Sequence, residues 1–178
     1  MKTYIFLLTA FGLFMGFPGK AQQISNAEIQ VTGLTCSMCS KATETALKSL
    51  DFINSISTDL NQNLFTINFK KDKNVNIDLI RKKVEDAGFS IGKLSATFNF
   101  NAVAVDRDGR ATVDGNVYQL TNSDRKILSG PIKATVIDKN FVPGSTFKKN
   151  VNTLKVDSYA SGTAVINGRK TRVYHLSI

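Results

Sequence analysis

The chain has 178 residues, 42% of them hydrophobic and 21% charged, with two cysteines, one histidine and a formal net charge of +9. That length suits one ordinary domain or two small ones, and the composition excludes wholesale disorder, a collagen-like repeat and a multi-disulfide scaffold. The one long apolar run lies at the N-terminus, which argues against a polytopic membrane protein.

Lys2, the uncharged run over residues 4–17, and small residues at Gly19 and Ala21 form the three-part pattern of a secretory signal peptide. A bilayer-spanning helix needs about 20 apolar residues, so the run is short for an anchor. Residues 1–21 are expected to be a cleaved signal, and the mature chain to be periplasmic or secreted, without stable membrane insertion. Losing Lys2 and Lys20 leaves a chain that is still basic. Export argues against a nucleic-acid partner. The densest cationic stretches are Lys70–Lys71–Lys73 and Arg81–Lys82–Lys83, and the second, on an expected helix, reads as a solvated face.

Residues 27–98 alternate strand and helix periods. Residues 28–32 place Ile29 and Val31 on one side of a strand. A loop over 33–39 leads to a helix running to Leu50, with Ala42, Ala46, Leu47 and Leu50 on one face. Residues 52–60 form a second strand, Asn61–Gln62–Asn63 a turn, and residues 64–70 a third strand with Phe65, Ile67 and Phe69 aligned. Asn76 or Asp78 caps a second helix with the stripe Ile77, Ile80, Val84 and Ala87. Gly88 sits where a helix end wants a left-handed residue. A fourth strand over 91–98 completes β-α-β-β-α-β, a ferredoxin-like arrangement.

After Asn99 the helical period disappears. Asp108–Gly109, Asp114–Gly115 and Asn167–Gly168 are hairpin signals, the last flanked by strands at 163–166 and 172–176. Strands are also expected at 132–137 and 154–159, and a single helical turn at 123–128. Residues 99–178 thus read as a small antiparallel all-β domain, a barrel or sandwich of unknown role. The expected fold class is α+β, a ferredoxin-like domain followed by this β domain.

Both cysteines fall in Gly33–Leu34–Thr35–Cys36–Ser37–Met38–Cys39, at the mouth of the first helix. Two thiols at this spacing clamp a soft metal ion, exchange disulfides, or form a static disulfide. Thioredoxin-type context is missing, since Thr35 precedes the pair and Ser37–Met38 separates it. A structural zinc site wants four ligands, and the lone His175 is distant in sequence. A disulfide here would close a tiny loop with little effect on chain entropy. A two-thiolate site suits d¹⁰ ions content with low coordination, above all Cu(I).

Gly33–Leu34–Thr35–Cys36 with Cys39, on a strand-to-helix loop, together with Asp86–Ala87–Gly88–Phe89 after the second helix, resembles the heavy-metal-associated domain. That family includes copper chaperones, modules of copper-transporting ATPases and the periplasmic mercury-binding protein. The resemblance covers residues 27–98 and departs at Leu34, where the family usually has Met. It implies that Cys36 and Cys39 hold a soft metal near the surface, Cu(I) foremost with Hg(II) or Zn(II) as other cargo, and pass it to a protein partner by ligand exchange. It also implies that Phe89 lies beneath the metal loop and that the protein is not an enzyme.

The remaining candidates read as structural. Thr35 is expected to support the loop or helix end, Met38 to face solvent, and His175 to be structural or exposed without a catalytic neighbour. Asp106, Asp108 and Asp114 read as turn residues rather than a calcium loop. A thiol–disulfide exchange factor, with Cys36 as nucleophile and Cys39 as resolving thiol, is the alternative function.

Overall fold

A computed structural model describes residues 23–178. The expected signal peptide lies outside the described residues.

The first region follows the expected order: β1 (Ile24–Thr32), α1 (Ser37–Lys48), β2 (Ile53–Asp59), β3 (Leu64–Phe69), α2 (Ile77–Asp86) and β4 (Ser90–Ala104). β1 lies between β3 and β4, antiparallel to both, and β2 flanks β3. Alternation drives the strands: Ala27, Ile29 and Val31 of β1 and Phe65, Ile67 and Phe69 of β3 turn inward and are buried. Asn76 caps α2 by accepting from the Leu79 N–H at 3.1 Å, and Ile77, Ile80 and Val84 supply its buried stripe. Gly88 ends that helix at φ +90°.

α1 differs from expectation in rotation. Its buried residues are Ser40, Thr43 and Leu47, joined beyond its end by Leu50, whereas Ala42 is exposed. The buried Thr43 hydroxyl is satisfied locally by donating to the Cys39 carbonyl at 3.1 Å, so a polar residue costs little on that face. The apolar spacing of the alanines misled because Ala is small enough to sit on either face.

The second region comprises β5 (Arg110–Val113), β6 (Asn116–Leu120), β7 (Ile127–Val136), α3 (Gly144–Leu154), α4 (Asp157–Ser161), β8 (Thr163–Ile166) and β9 (Arg169–Ser177). Its strands form neither a barrel nor a separate sandwich. They extend the first sheet, giving nine strands in the order β2-β3-β1-β4-β7-β9-β6-β5, with β8 on β9. β4 runs unbroken past residues 98–99 and pairs with β7 from Leu94–Val136 to Ala104–Ile127, around a bulge where Ala102 takes φ +48°. The pairing is not wholly antiparallel, because β6 lies parallel to β9.

Two expected elements change type. Residues 154–159 end α3 and begin α4 instead of forming a strand, and residues 123–128 hold no helix but lead into β7. Phe147, Val151 and Leu154 recur at a helical spacing, and Tyr159 anchors the following turn by stacking on Phe147 at 5.1 Å and donating to the Ile137 carbonyl. The Asn167–Gly168 hairpin stands as expected, both residues at positive φ.

One hydrophobic core runs through both regions, from Leu47 and Ile80 through Phe98 and Phe100 to Tyr118, Tyr174 and Leu176. Phe98 meets the Tyr118 ring edge-on at 5.3 Å, and Tyr118 stacks on Tyr174 at 6.0 Å.

Candidate metal centre

The loop between β1 and α1 is set by three residues. Gly33 takes φ +92°, a conformation that an L side chain adopts only with strain, and its α-carbon faces Phe89 closely enough that an added Cβ would sit 3.7 Å from that ring. Leu34 turns inward and is 9% exposed, pinning the loop to the core in the position where the related family usually has Met. Phe89, half-buried after α2, supports the loop from below as expected.

The two sulfurs then converge. Cys36 is the N-cap of α1, extended at φ −150° and ψ 160°, and Cys39 lies one turn into the helix. Their Sγ atoms are 2.7 Å apart, and the Cys39 backbone N–H donates to the Cys36 Sγ at 3.3 Å. Cys36 is exposed and Cys39 half-buried. The Cys36 side chain thus caps the helix end, and Thr35, expected to support the loop or helix end, is exposed. Met38 is exposed as expected.

Hydrogen bonding from Cys39, first through its side chain and then through its backbone N–H, holds the Cys36 thiol below its ordinary pKa, with a smaller contribution from the Met38 N–H. No acidic residue lies in the first turn of α1 to oppose a thiolate, and the positive end of the helix dipole favours one. Among the described residues no group of three or more His, Cys, Asp or Glu side chains is placed to hold a metal ion. The arrangement offers two sulfur donors at the protein surface, Cys36 exposed and Cys39 half-buried.

Beside the pair, Met38, Lys41, Ala42, Thr45, Ala46 and Lys83, with Asp86 and Ala87, line a shallow groove of about 550 Å³ between α1 and α2. Small side chains keep it open, and its charged rim is mixed: Lys41, which pairs with Glu44 at 3.6 Å, Lys83 and Asp86.

The structure also gathers a constellation that sequence separation conceals. His175 is fully buried; its Nδ1 lies 2.9 Å from Asp138 Oδ1 and its Nε2 2.8 Å from Ser158 Oγ. The expectation that His175 lacks such neighbours is therefore corrected, while its structural character stands. Ser158, Asp138 and His175 are all at most 3% exposed, and the adjoining cavity of about 410 Å³ is lined by Asp138 but not by Ser158 or His175. The three groups satisfy one another: Asp138 Oδ2 also accepts from the His175 backbone N–H at 2.8 Å, and Oδ1 from Arg172 at 3.0 Å. Asp106 behaves as a turn residue, its Oδ1 accepting from the backbone N–H groups of Asp108 and Arg110 at 2.9 and 2.8 Å.

Comparison with known proteins places this centre in context. A family model described as heavy-metal-associated domain matches residues 28–90. The chain is 32% identical over 65 residues to the copper chaperone CopZ of Bacillus subtilis, a match covering 36% of this chain and 93% of that protein. It is 41% identical over 66 residues to the probable copper-transporting ATPase HMA5 of Arabidopsis thaliana, covering 37% of this chain and 6% of that one. A probable copper-exporting P-type ATPase of Archaeoglobus fulgidus is 28% identical over 99 residues, 56% of this chain and 10% of the ATPase. The chain thus spans a tenth or less of the ATPases it matches but nearly the whole chaperone. With its βαββαβ start and its match to almost all of a chaperone, the chain belongs to the heavy-metal-associated domain family.

Proposed function

We propose that the protein is an exported carrier of Cu(I), binding one ion between Cys36 and Cys39 and handing it to an acceptor protein by ligand exchange. The observation that carries this reading is the pair of sulfurs 2.7 Å apart at the exposed N-terminus of α1. A low-coordinate, thiolate-bound site matches a soft d¹⁰ ion and leaves hard cations poorly served. The likeness to copper chaperones supports copper over Hg(II) and Zn(II), and the leader-like residues 1–21 support export.

Transfer follows from the asymmetry of the pair. Cys36, exposed and capping the helix, is the sulfur an incoming thiolate reaches first, while Cys39 lies half-buried in the first turn of α1. The acceptor's first sulfur bonds to the ion and displaces Cys36, and its second then displaces Cys39; each released thiolate takes up the proton lost by the entering thiol. The apolar-floored groove beside the pair, with its mixed-charge rim, fits an acceptor with an apolar docking patch beside its own thiols. Mixing the Cu(I)-loaded protein with a metal-free dithiol acceptor under anaerobic conditions tests this. Rapid redistribution that slows when Cys36 is changed to Ser supports exchange through that sulfur; transfer only at the rate of spontaneous ion release contradicts it.

The lowered Cys36 pKa also favours a second reading, thiol–disulfide exchange with Cys36 as nucleophile and Cys39 as resolving thiol. Catalysed reduction of a small disulfide, faster than an equal concentration of free dithiol, would support that reading.

A further inference from the structure

Positive charge is not spread evenly over the molecule. In the first region several cations are matched: Lys41 and Lys48 pair with Glu44, Lys73 with Asp51, Arg81 with Glu85 and Lys82 with Asp86. Residues 143–170 are different. They carry Lys148, Lys149, Lys155, Arg169 and Lys170 against Asp157 alone, and among the described residues none of these cations forms an ion pair. All five are exposed.

The elements that bear them are unusual as well. α3, an amphipathic helix, has no buried residue, and Val151 on it is 39% exposed. The β8–β9 ribbon projects Val165 at 72% exposure, paired in register with Lys170, and Ile166 opposite Arg169. The two elements adjoin through α4, which Phe147 of α3 reaches by stacking on Tyr159. No helix among the described residues is long and apolar enough to cross a membrane.

We propose that α3 and the β8–β9 ribbon dock the protein peripherally on an anionic lipid surface. Lysine and arginine stems reach headgroup phosphates, while Val151 and Val165 enter the boundary between headgroups and acyl chains. An anionic bilayer offers both chemistries at once, charge at its headgroups and an apolar layer beneath them. Cations on a helix and a ribbon that project outward suit a laterally uniform surface better than a shaped cleft. The C-terminal region thereby acquires a role that does not depend on the cysteines: it holds the metal loop near a membrane.

Co-sedimentation of the full chain with vesicles tests this, comparing phosphatidylcholine alone with phosphatidylcholine mixed with phosphatidylglycerol. Binding to the mixed vesicles only, weakening as salt rises, is expected. Each cation near such a surface contributes about fivefold, so the K148Q/K149Q/R169Q/K170Q chain should bind more than about a hundredfold more weakly. V165S should weaken binding with every charge retained. The leader is common to all these chains, so it does not produce a difference between them. The C36S/C39S chain should bind like the parent, which separates this proposal from the metal reading. Equal binding to both vesicles, or undiminished binding by the four-site variant, would overturn the proposal. So would failure to bind mixed vesicles together with salt-sensitive binding to soluble polyglutamate, which would point to an acidic protein instead.

Discussion

Arg172 on β9 donates to Asp78 on α2, Nε to Oδ2 at 3.0 Å, and so ties the last strand of the chain to the second helix of the metal domain. The same guanidinium reaches Asp138 at 3.0 Å and lies over the Tyr174 ring at 4.3 Å, while Tyr174 donates its hydroxyl to Asp78 at 3.0 Å. Arg81 over Phe141 and Asn140 bonded to Glu85 extend the joint along α2. With a continuous sheet and core, this makes the two regions one mechanical body.

Removing Arg172 should therefore unsettle the whole molecule. Asp138 is 3% exposed as a side chain and would be left with one hydrogen-bonding partner fewer. Arg172→Ala should cost about 2–3 kcal/mol, with the two regions still melting in a single transition. Thermal denaturation followed by circular dichroism and by Tyr fluorescence checks this; two separated transitions would show that the regions are independent.

The joint also gives an acid dependence. Burial works to raise the Asp78 pKa, but hydrogen bonding and charge from Arg172, assisted by Tyr174 and Arg81, outweigh it and leave the pKa lowered. A carboxylate with a depressed folded pKa contributes stability that is complete above its unfolded value, near 3.8, and is lost as pH falls through the lower folded value. Urea denaturation midpoints should fall below about pH 4, and Asp78→Asn should flatten that part of the profile.

His175 separates a structural role from a ligand role. His175→Ala leaves Asp138 and Ser158 facing a cavity in a fully buried site, a loss of about 3 kcal/mol. Metal stoichiometry should be unchanged. Calorimetry and metal analysis on the same sample check both halves, and loss of bound metal without loss of stability would contradict the assignment.

Cys36 reactivity reports the local field at the metal loop. Because the Cys39 side chain is the leading cause of the lowered Cys36 pKa, Cys39→Ala should move the pH midpoint of Cys36 alkylation upward. The Cys39 backbone N–H remains, so the midpoint should stay below that of an unstructured thiol. Iodoacetamide labelling rates across pH measure the shift.

The metal domain was legible because its signals are local and redundant. Cys36 and Cys39 share a loop, Gly88 closes a helix four residues after Val84, and Phe65, Ile67 and Phe69 alternate without interruption. The second region was less so. Its strands find partners far away in sequence, β4 with β7 and β6 with β9, and nothing local announces that β4 continues past Asn99 or that β6 runs parallel to β9. The spacing of Phe147, Val151 and Leu154 carried a helical signal that the Pro143–Gly144 turn obscured. The Asp138–His175–Ser158 network had no sequence signature, since only folding brings together residues separated by 17 and 37 positions.

The most direct test of the metal assignment is an anaerobic Cu(I) titration of the reduced protein against a chromogenic chelator, beside the C36S/C39S chain. One equivalent withdrawn from the chelator by the parent, and none by the variant, is the predicted result. Equal curves for the two proteins, whether both compete or neither does, would contradict a copper site at Cys36 and Cys39.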